Sequence, residues 1–224
     1  MARSRQAEAP VLIEEPASHA TPTVTPLLQS PQPAAVPLLT APITSPEQRV
    51  SKKPFGIHIT PATSPVLFDI FNGYHTGVDF EVFENELPLD VEISAVCSGP
   101  LIFKGWITGY GGVAVQQCQL EEQTVTIVYG HLNLATIIVS KGDMIAPGER
   151  IGALGQGFSS ETDGQRKHLH LGIHKGAVVN VQGYVDTKSA LEEWVNILDY
   201  ALSSLGFVKS KRLLLISQQV LPLQ

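Results

Sequence analysis

The 224-residue sequence has only two cysteines, no apolar run near the ~20 residues needed to cross a bilayer, and no surplus of basic side chains. Each shortage excludes something. Cys97 and Cys118 cannot build a four-thiolate metal site, and they lack the two-residue spacing of a redox pair. With 15 basic residues against 21 acidic ones, a net charge of −6, the chain lacks the cationic surface that nucleic-acid phosphates demand, so no nucleic-acid partner is expected. No transmembrane segment is expected, and no basic stretch followed by an apolar core and a small-residue cleavage site is visible near the N-terminus. The His-Glu-x-x-His signature of helical zinc proteases is also missing.

What is present divides the chain into three parts. Residues 1–53 are rich in Pro, Ala, Ser and Thr without a sustained period, as in Pro31-Gln32-Pro33-Ala34-Ala35-Val36-Pro37, and read as a disordered linker. Residues 54–186 change to short β-branched and aromatic runs punctuated by glycine: 91–96, 112–117, 124–129, 135–139 and 168–174. Many short strands with turn signals such as Gly142-Asp143 and Pro147-Gly148 predict a mainly β, compact antiparallel sheet domain. Residues 187–224 form the third part. There Leu191, Trp194, Val195, Leu198, Leu202 and Leu205 recur at three- and four-residue steps and predict one C-terminal helix ending near Gly206, followed by a tail. Cys97 and Cys118 lie in strand-like stretches that could double back on each other, so they are either a disulfide or two buried thiols.

Six of the seven histidines fall outside the linker. Strand side chains alternate between faces, so His168 and His170 share one surface while Leu169 and Leu171 point to the other. Such a pair is a weak metal motif by itself. Gly77 and β-branched Val78 disfavour a helix between His75 and Asp79, but the even spacing keeps both on one side of a strand that Gly77 allows to bend. A surface aspartate bonded to its neighbouring histidine is the plainer alternative for that motif. Taken together, His75, Asp79 and one histidine of the pair supply two nitrogens and one carboxylate, the donor set of a catalytic zinc site with its fourth position open. Ca²⁺ and Mg²⁺ would favour all-oxygen ligands. With no glutamate base in a helical motif, His131 and His168 are the available proton carriers.

These residues, in this order, carry a resemblance. His75-x-x-x-Asp79, the stretch Thr126-Ile127-Val128-Tyr129-Gly130-His131, Lys141-Gly142-Asp143 followed by Pro147-Gly148 and Ile151-Gly152, and His168-Leu169-His170 resemble the lysostaphin-type (LytM-like) zinc metallopeptidases that cut the peptides of peptidoglycan. The resemblance spans about residues 55–184. It implies Zn²⁺ held by His75, Asp79 and His170, with His131 and His168 as catalytic residues, their division of labour left open. It also implies a zinc endopeptidase acting on peptidoglycan cross-links or stem peptides, a metal-bearing groove, and an extracytoplasmic location despite the absence of a visible signal peptide. The sequence leaves the oligomeric state open, and a monomer is the simplest expectation. Where the family commonly has Phe-Glu and a basic residue after the His-x-His pair, this chain has Leu171-Gly172-Ile173-His174. The rival reading is a catalytically restrained wall-binding module that regulates another hydrolase.

Overall fold

Short β-branched runs between glycine turns become strands because their apolar side chains are buried on a pleated surface. The computed structural model describes residues 39–203 and 206–209. Its strands are β1 (His58–Ile59), β2 (Gly73–His75), β3 (Gly77–Glu81), β4 (Glu92–Ser94), β5 (Gly99–Ile107), β6 (Gly111–Leu120), β7 (Gln123–Asn133), β8 (Met144–Ile145), β9 (Arg150–Leu154), β10 (His168–Lys175), β11 (Tyr184–Val185), β12 (Tyr200–Ser203) and β13 (Gly206–Lys209). The main sheet runs β3-β10-β7-β6-β5-β8, with β9 joining β4 to β7, and β1-β2-β11 form a small sheet beside it. All the pairings are antiparallel.

Leu169, Leu171 and Ile173 of β10 join Val78 and Phe80 of β3, Ile127 and Tyr129 of β7, and Ile93 and Ile151 in one core. The alternate residues of β10, His168 and His170, are thereby committed to the opposite face. Within the core, Tyr129 donates its hydroxyl to Gln116 Oε1 at 3.0 Å and accepts from the Val96 amide at 3.0 Å, while Gln116 Nε2 donates to the carbonyls of Cys97 and Gly99. That network meets the hydrogen-bonding needs of polar groups whose burial would otherwise be costly.

Three sequence expectations change. The domain begins earlier than residue 54: Leu39 and Ile43 pack into the core, and the fully buried Arg49 pairs with Glu86 at 2.6 Å. Composition concealed this, because two apolar anchors and one well-satisfied guanidinium suffice to fix a proline-rich approach. Residues 1–38, the rest of the predicted linker, lie outside the described residues.

The expected helix across 191–205 shrinks to one turn, α1 (Lys188–Leu191). Beyond it the chain is drawn back onto the sheet: Trp194 bridges to His174, the Val195 amide bonds to Ile173 O, and Asn196 caps a 3-10 turn before β12. Leu205 and the tail from 210 lie outside the described residues. Stretch 135–139 is no strand either, since Asn133 Oδ1 accepts from Ala135 N and Thr136 Oγ1 donates to Asn133 O, closing a 3-10 turn.

Of the two alternatives for the cysteines, the bond is the one formed. Cys97, just ahead of β5, is linked to Cys118 of β6 with their Cα atoms 6.2 Å apart. A covalent loop closed across 21 residues removes denatured-chain freedom worth about 3 kcal/mol. Reducing the protein, or replacing both cysteines with alanine, should lower the unfolding free energy by roughly that amount in a urea titration.

Candidate metal centre

Register assembles the site. On β3 and β10, Asp79 lies directly opposite His170, and Glu81 opposite His168, so one antiparallel pairing delivers a carboxylate to an imidazole. His75 ends β2, with only Thr76 between it and the start of β3. Its Nε2 lies 3.0 Å from His170 Nδ1 and 3.2 Å from Asp79 Oδ1, and His170 Nδ1 lies 3.1 Å from the same oxygen. All three side chains are buried.

This triangle fits a cation. His75 Nδ1 lies 3.3 Å from Pro54 O, a group that only accepts, so the ring proton belongs on Nδ1 and the Nε2 lone pair faces inward. A carboxylate oxygen likewise has only lone pairs to offer. These two lone-pair atoms, 3.2 Å apart with His170 Nδ1 beside both, repel one another unless a proton or a cation lies among them. Donors ~2.1 Å from a tetrahedral zinc ion stand about 3.4 Å apart, close to what is found. His75, Asp79 and His170 are the residues that would hold it.

The other two imidazoles flank this group. His168 Nδ1 donates to Arg166 O at 2.9 Å and His131 Nδ1 to Tyr110 O at 2.8 Å. Both carbonyls are acceptors, so each ring keeps its proton on Nδ1 and turns an Nε2 lone pair toward the site. Their ring centroids are 4.2 Å apart, and His168 Nε2 lies 3.2 Å from Asp79 Oδ2. His131 reaches this face through a β-bulge. Pairing with β6 slips between Gly130 and Leu132, and His131 takes a φ of 64°. Simple alternation after Tyr129, a core residue, would send His131 back into the core; the extra residue turns it around.

Burial alone would raise the Asp79 carboxyl, but the neighbouring imidazoles of His168, His75 and His170 hold it well below the usual carboxylate range. Burial pushes His131 well below the ordinary histidine range, against the opposing pull of Asp79. Burial also carries His170 down from 6.5 to about 4, against the opposing pull of Asp79. At neutral pH His131 and His170 are therefore uncharged.

A cleft of about 310 Å³ opens over the group. Phe71 and Tyr184, stacked at 5.2 Å, form one wall with Lys53, whose Nζ donates to Tyr184 Oη at 2.9 Å and pairs with Asp69 at 2.5 Å. Tyr110 borders the cleft on another side, its buried hydroxyl without a hydrogen-bond partner. Sequence reading missed Lys53, Phe71 and Tyr184, since no spacing rule ties residue 53 to residue 184. Arg166, which pairs with Asp79 at 2.8 Å, was missed for the same reason.

Glu161 and Asp163 hold the loop 156–165 together and to its neighbour: Glu161 Oε2 accepts from Gln156 N, and Asp163 Oδ2 from Gly109 N. His174 is taken up by Trp194, with ring centroids 4.9 Å apart, and His58 by Tyr74 at 4.5 Å. Neither joins the site.

Gly77 plays a different part from the bend expected of it. It has no left-handed φ, but a Cβ there would stand 2.6 Å from Leu171 O and 2.7 Å from His170 Nε2. Gly172 likewise leaves space for the Trp194 ring, 3.1 Å from where its Cβ would be.

Residues 73–182 match Peptidase family M23. Among solved structures, the chain is similar to Helicobacter pylori Csd3, with 24% identity, covering 67% of this chain and 35% of that one at a TM-score of 0.41. It thus spans about a third of that relative's length. A zinc-containing peptidase from Vibrio cholerae shows 19% identity over 62% of this chain and 37% of that one, with a TM-score of 0.41. LytU shows 21% identity over 70% of this chain and 91% of that one, with a TM-score of 0.43. No curated protein matches the sequence.

Two outcomes follow from this geometry. Gly77→Ala should displace the His170 ring and lower zinc affinity at least tenfold, as read by competitive metal titration, because the nearest obstacle is an immovable backbone carbonyl. In metal-stripped protein, His170 binds its proton less readily folded than unfolded, so its contribution to stability is complete above pH 6.5 and is lost as pH falls toward 4. The melting temperature of that protein should drop through this window.

Proposed function

Residues 73–182 belong to peptidase family M23, and from that membership we propose that the protein is a zinc-dependent endopeptidase hydrolysing peptide bonds in the cross-links or stem peptides of peptidoglycan. The observation that carries the reading is the convergence of three lone-pair donors, His75 Nε2, Asp79 Oδ1 and His170 Nδ1, beside two imidazoles whose Nε2 atoms also face the cleft. Zinc held by those three residues would supply Lewis acidity toward a peptide carbonyl and toward water.

The remaining work falls to the chain's own groups. His168 is the proton carrier in this reading. Its Nδ1–H is held by Arg166 O, its Nε2 is the free basic site, and Asp79 Oδ2 at 3.2 Å favours the imidazolium formed when it takes a proton. That same proton is then available to the leaving amine. His131, kept neutral by burial, accepts a hydrogen bond at Nε2 and orients the attacking water. The Tyr110 hydroxyl, which burial pushes up and so keeps protonated, is a donor without a partner at the cleft wall. Phe71 and Tyr184 offer an apolar face to the substrate backbone.

A disulfide inside the domain supports an oxidising, extracytoplasmic location, where such bonds persist. No helix among the described residues is long and apolar enough to cross a membrane.

Metal analysis combined with digestion of purified peptidoglycan tests this reading. His75→Ala and His170→Ala should lose both zinc and hydrolysis. His131→Ala and His168→Ala should retain zinc while hydrolysis falls by about 10²–10⁴-fold. A zinc-free wild-type protein, or one that binds wall without releasing fragments, would replace the enzyme with a non-catalytic wall-binding module.

A further inference from the structure

We propose that Arg166, anchored by Glu81, is a positioning residue that locks the Asp79 carboxylate into one-oxygen presentation toward the metal; the inference rests on the zinc reading above. Arg166 Nη2 donates to Asp79 Oδ2 at 2.8 Å and to Glu81 Oε1 at 2.6 Å, and its Nε donates to both Glu81 oxygens at 3.0 Å. The guanidinium is nearly buried, with the residue 9% exposed. Glu81 is itself fixed: its amide donates to Arg49 O at 3.0 Å, and its carbonyl accepts from Arg49 Nη1 at 3.1 Å.

A carboxylate turns readily about its last torsion, which has broad wells. Left alone, Asp79 could offer either oxygen or both. With Oδ2 occupied by Arg166, only Oδ1 faces His75 Nε2 and His170 Nδ1. One-oxygen ligation keeps the fourth coordination position free for reaction.

Charge alone argues the other way, because a guanidinium near a cation site repels the cation. Glu81 offsets that objection: its carboxylate, 2.6 Å from Arg166 and 3.5 Å from the outer, half-exposed Lys52, counters the guanidinium charge where it faces Asp79. The arrangement also reaches His168, whose Nδ1 donates to the backbone carbonyl of Arg166. A single residue therefore sets the orientation of the ligand carboxylate with its side chain and that of an active-site imidazole with its backbone.

The test separates orientation from charge. The double variant Arg166→Met/Glu81→Gln removes one charge of each sign. Its zinc affinity, from competition with a chromophoric chelator, should fall about 10–100-fold, the usual cost of losing a group that orients a metal ligand. The absorption spectrum of the cobalt-substituted form should shift toward higher coordination as Asp79 brings in its second oxygen. Arg166→Lys, which keeps the charge but not the fork, should recover part of the affinity.

Parent-like zinc affinity and cobalt spectrum in the double variant would overturn the clamp while leaving the zinc reading intact. Should circular dichroism show that the double variant does not fold, Arg166→Lys decides alone: affinity about tenfold below the parent supports the clamp, and unchanged affinity overturns it. Absence of zinc binding in the parent would overturn the metal reading and this inference with it.

Discussion

The β3–β10 register is the constraint on which the candidate metal centre depends. Setting Asp79 opposite His170 brings a carboxylate and an imidazole to one point, and the same ladder places Glu81 and His168 one step away on the same face. A slip of one residue would send Leu169 and Leu171 to the cleft and both histidines into the core, because side chains alternate along a strand. The apolar set is what forbids it: Val78, Phe80, Leu169, Leu171 and Ile173 are all buried in a single core. Hydrophobic burial, which knows nothing of metals, thus fixes the geometry of the ligands.

Burying five polar side chains in one place is unfavourable unless each is given a partner. The surrounding backbone answers most of this need. Carbonyls of Pro54, Tyr110 and Arg166 each take the Nδ1 proton of one histidine, and this choice of acceptor determines which nitrogen remains basic. A charged partner, Arg166, takes the outer oxygen of Asp79. Glycines complete the arrangement by absence, since a side chain at Gly77 would occupy space the His170 ring requires.

The cleft is assembled from segments far apart in the chain. Lys53 enters from the approach to the domain and Tyr184 from its far end, joined by a 2.9 Å hydrogen bond, while Phe71 stacks between β1 and β2 in sequence but against Tyr184 in space. Aromatic wall and buried ion pair together make one edge beside His75, Asp79 and His170. On the opposite side the 156–165 loop is tied to the β5–β6 turn through Asp163 and Gly109, and Trp106 donates its indole N–H to Ser160 O.

The antiparallel β class was legible in the sequence, and His75, Asp79, His131, His168 and His170 stood out there as candidates, because strand alternation and short spacings such as His-x-His and His-x-x-x-Asp act locally. Their convergence is a property of the fold. Only tertiary structure decided that His131 faces the site, since a bulge reverses the side that alternation assigns to it. It also joined Cys97 to Cys118 and brought residues 39–53 into the domain. Packing divided the leucine-rich stretch after α1 between a bridge to β10 and a capped turn. Lys53, Tyr184 and the Arg166–Glu81 pair were invisible for one physical reason: a long side chain contacts whatever the fold brings beside it, and separation along the chain carries no record of that choice.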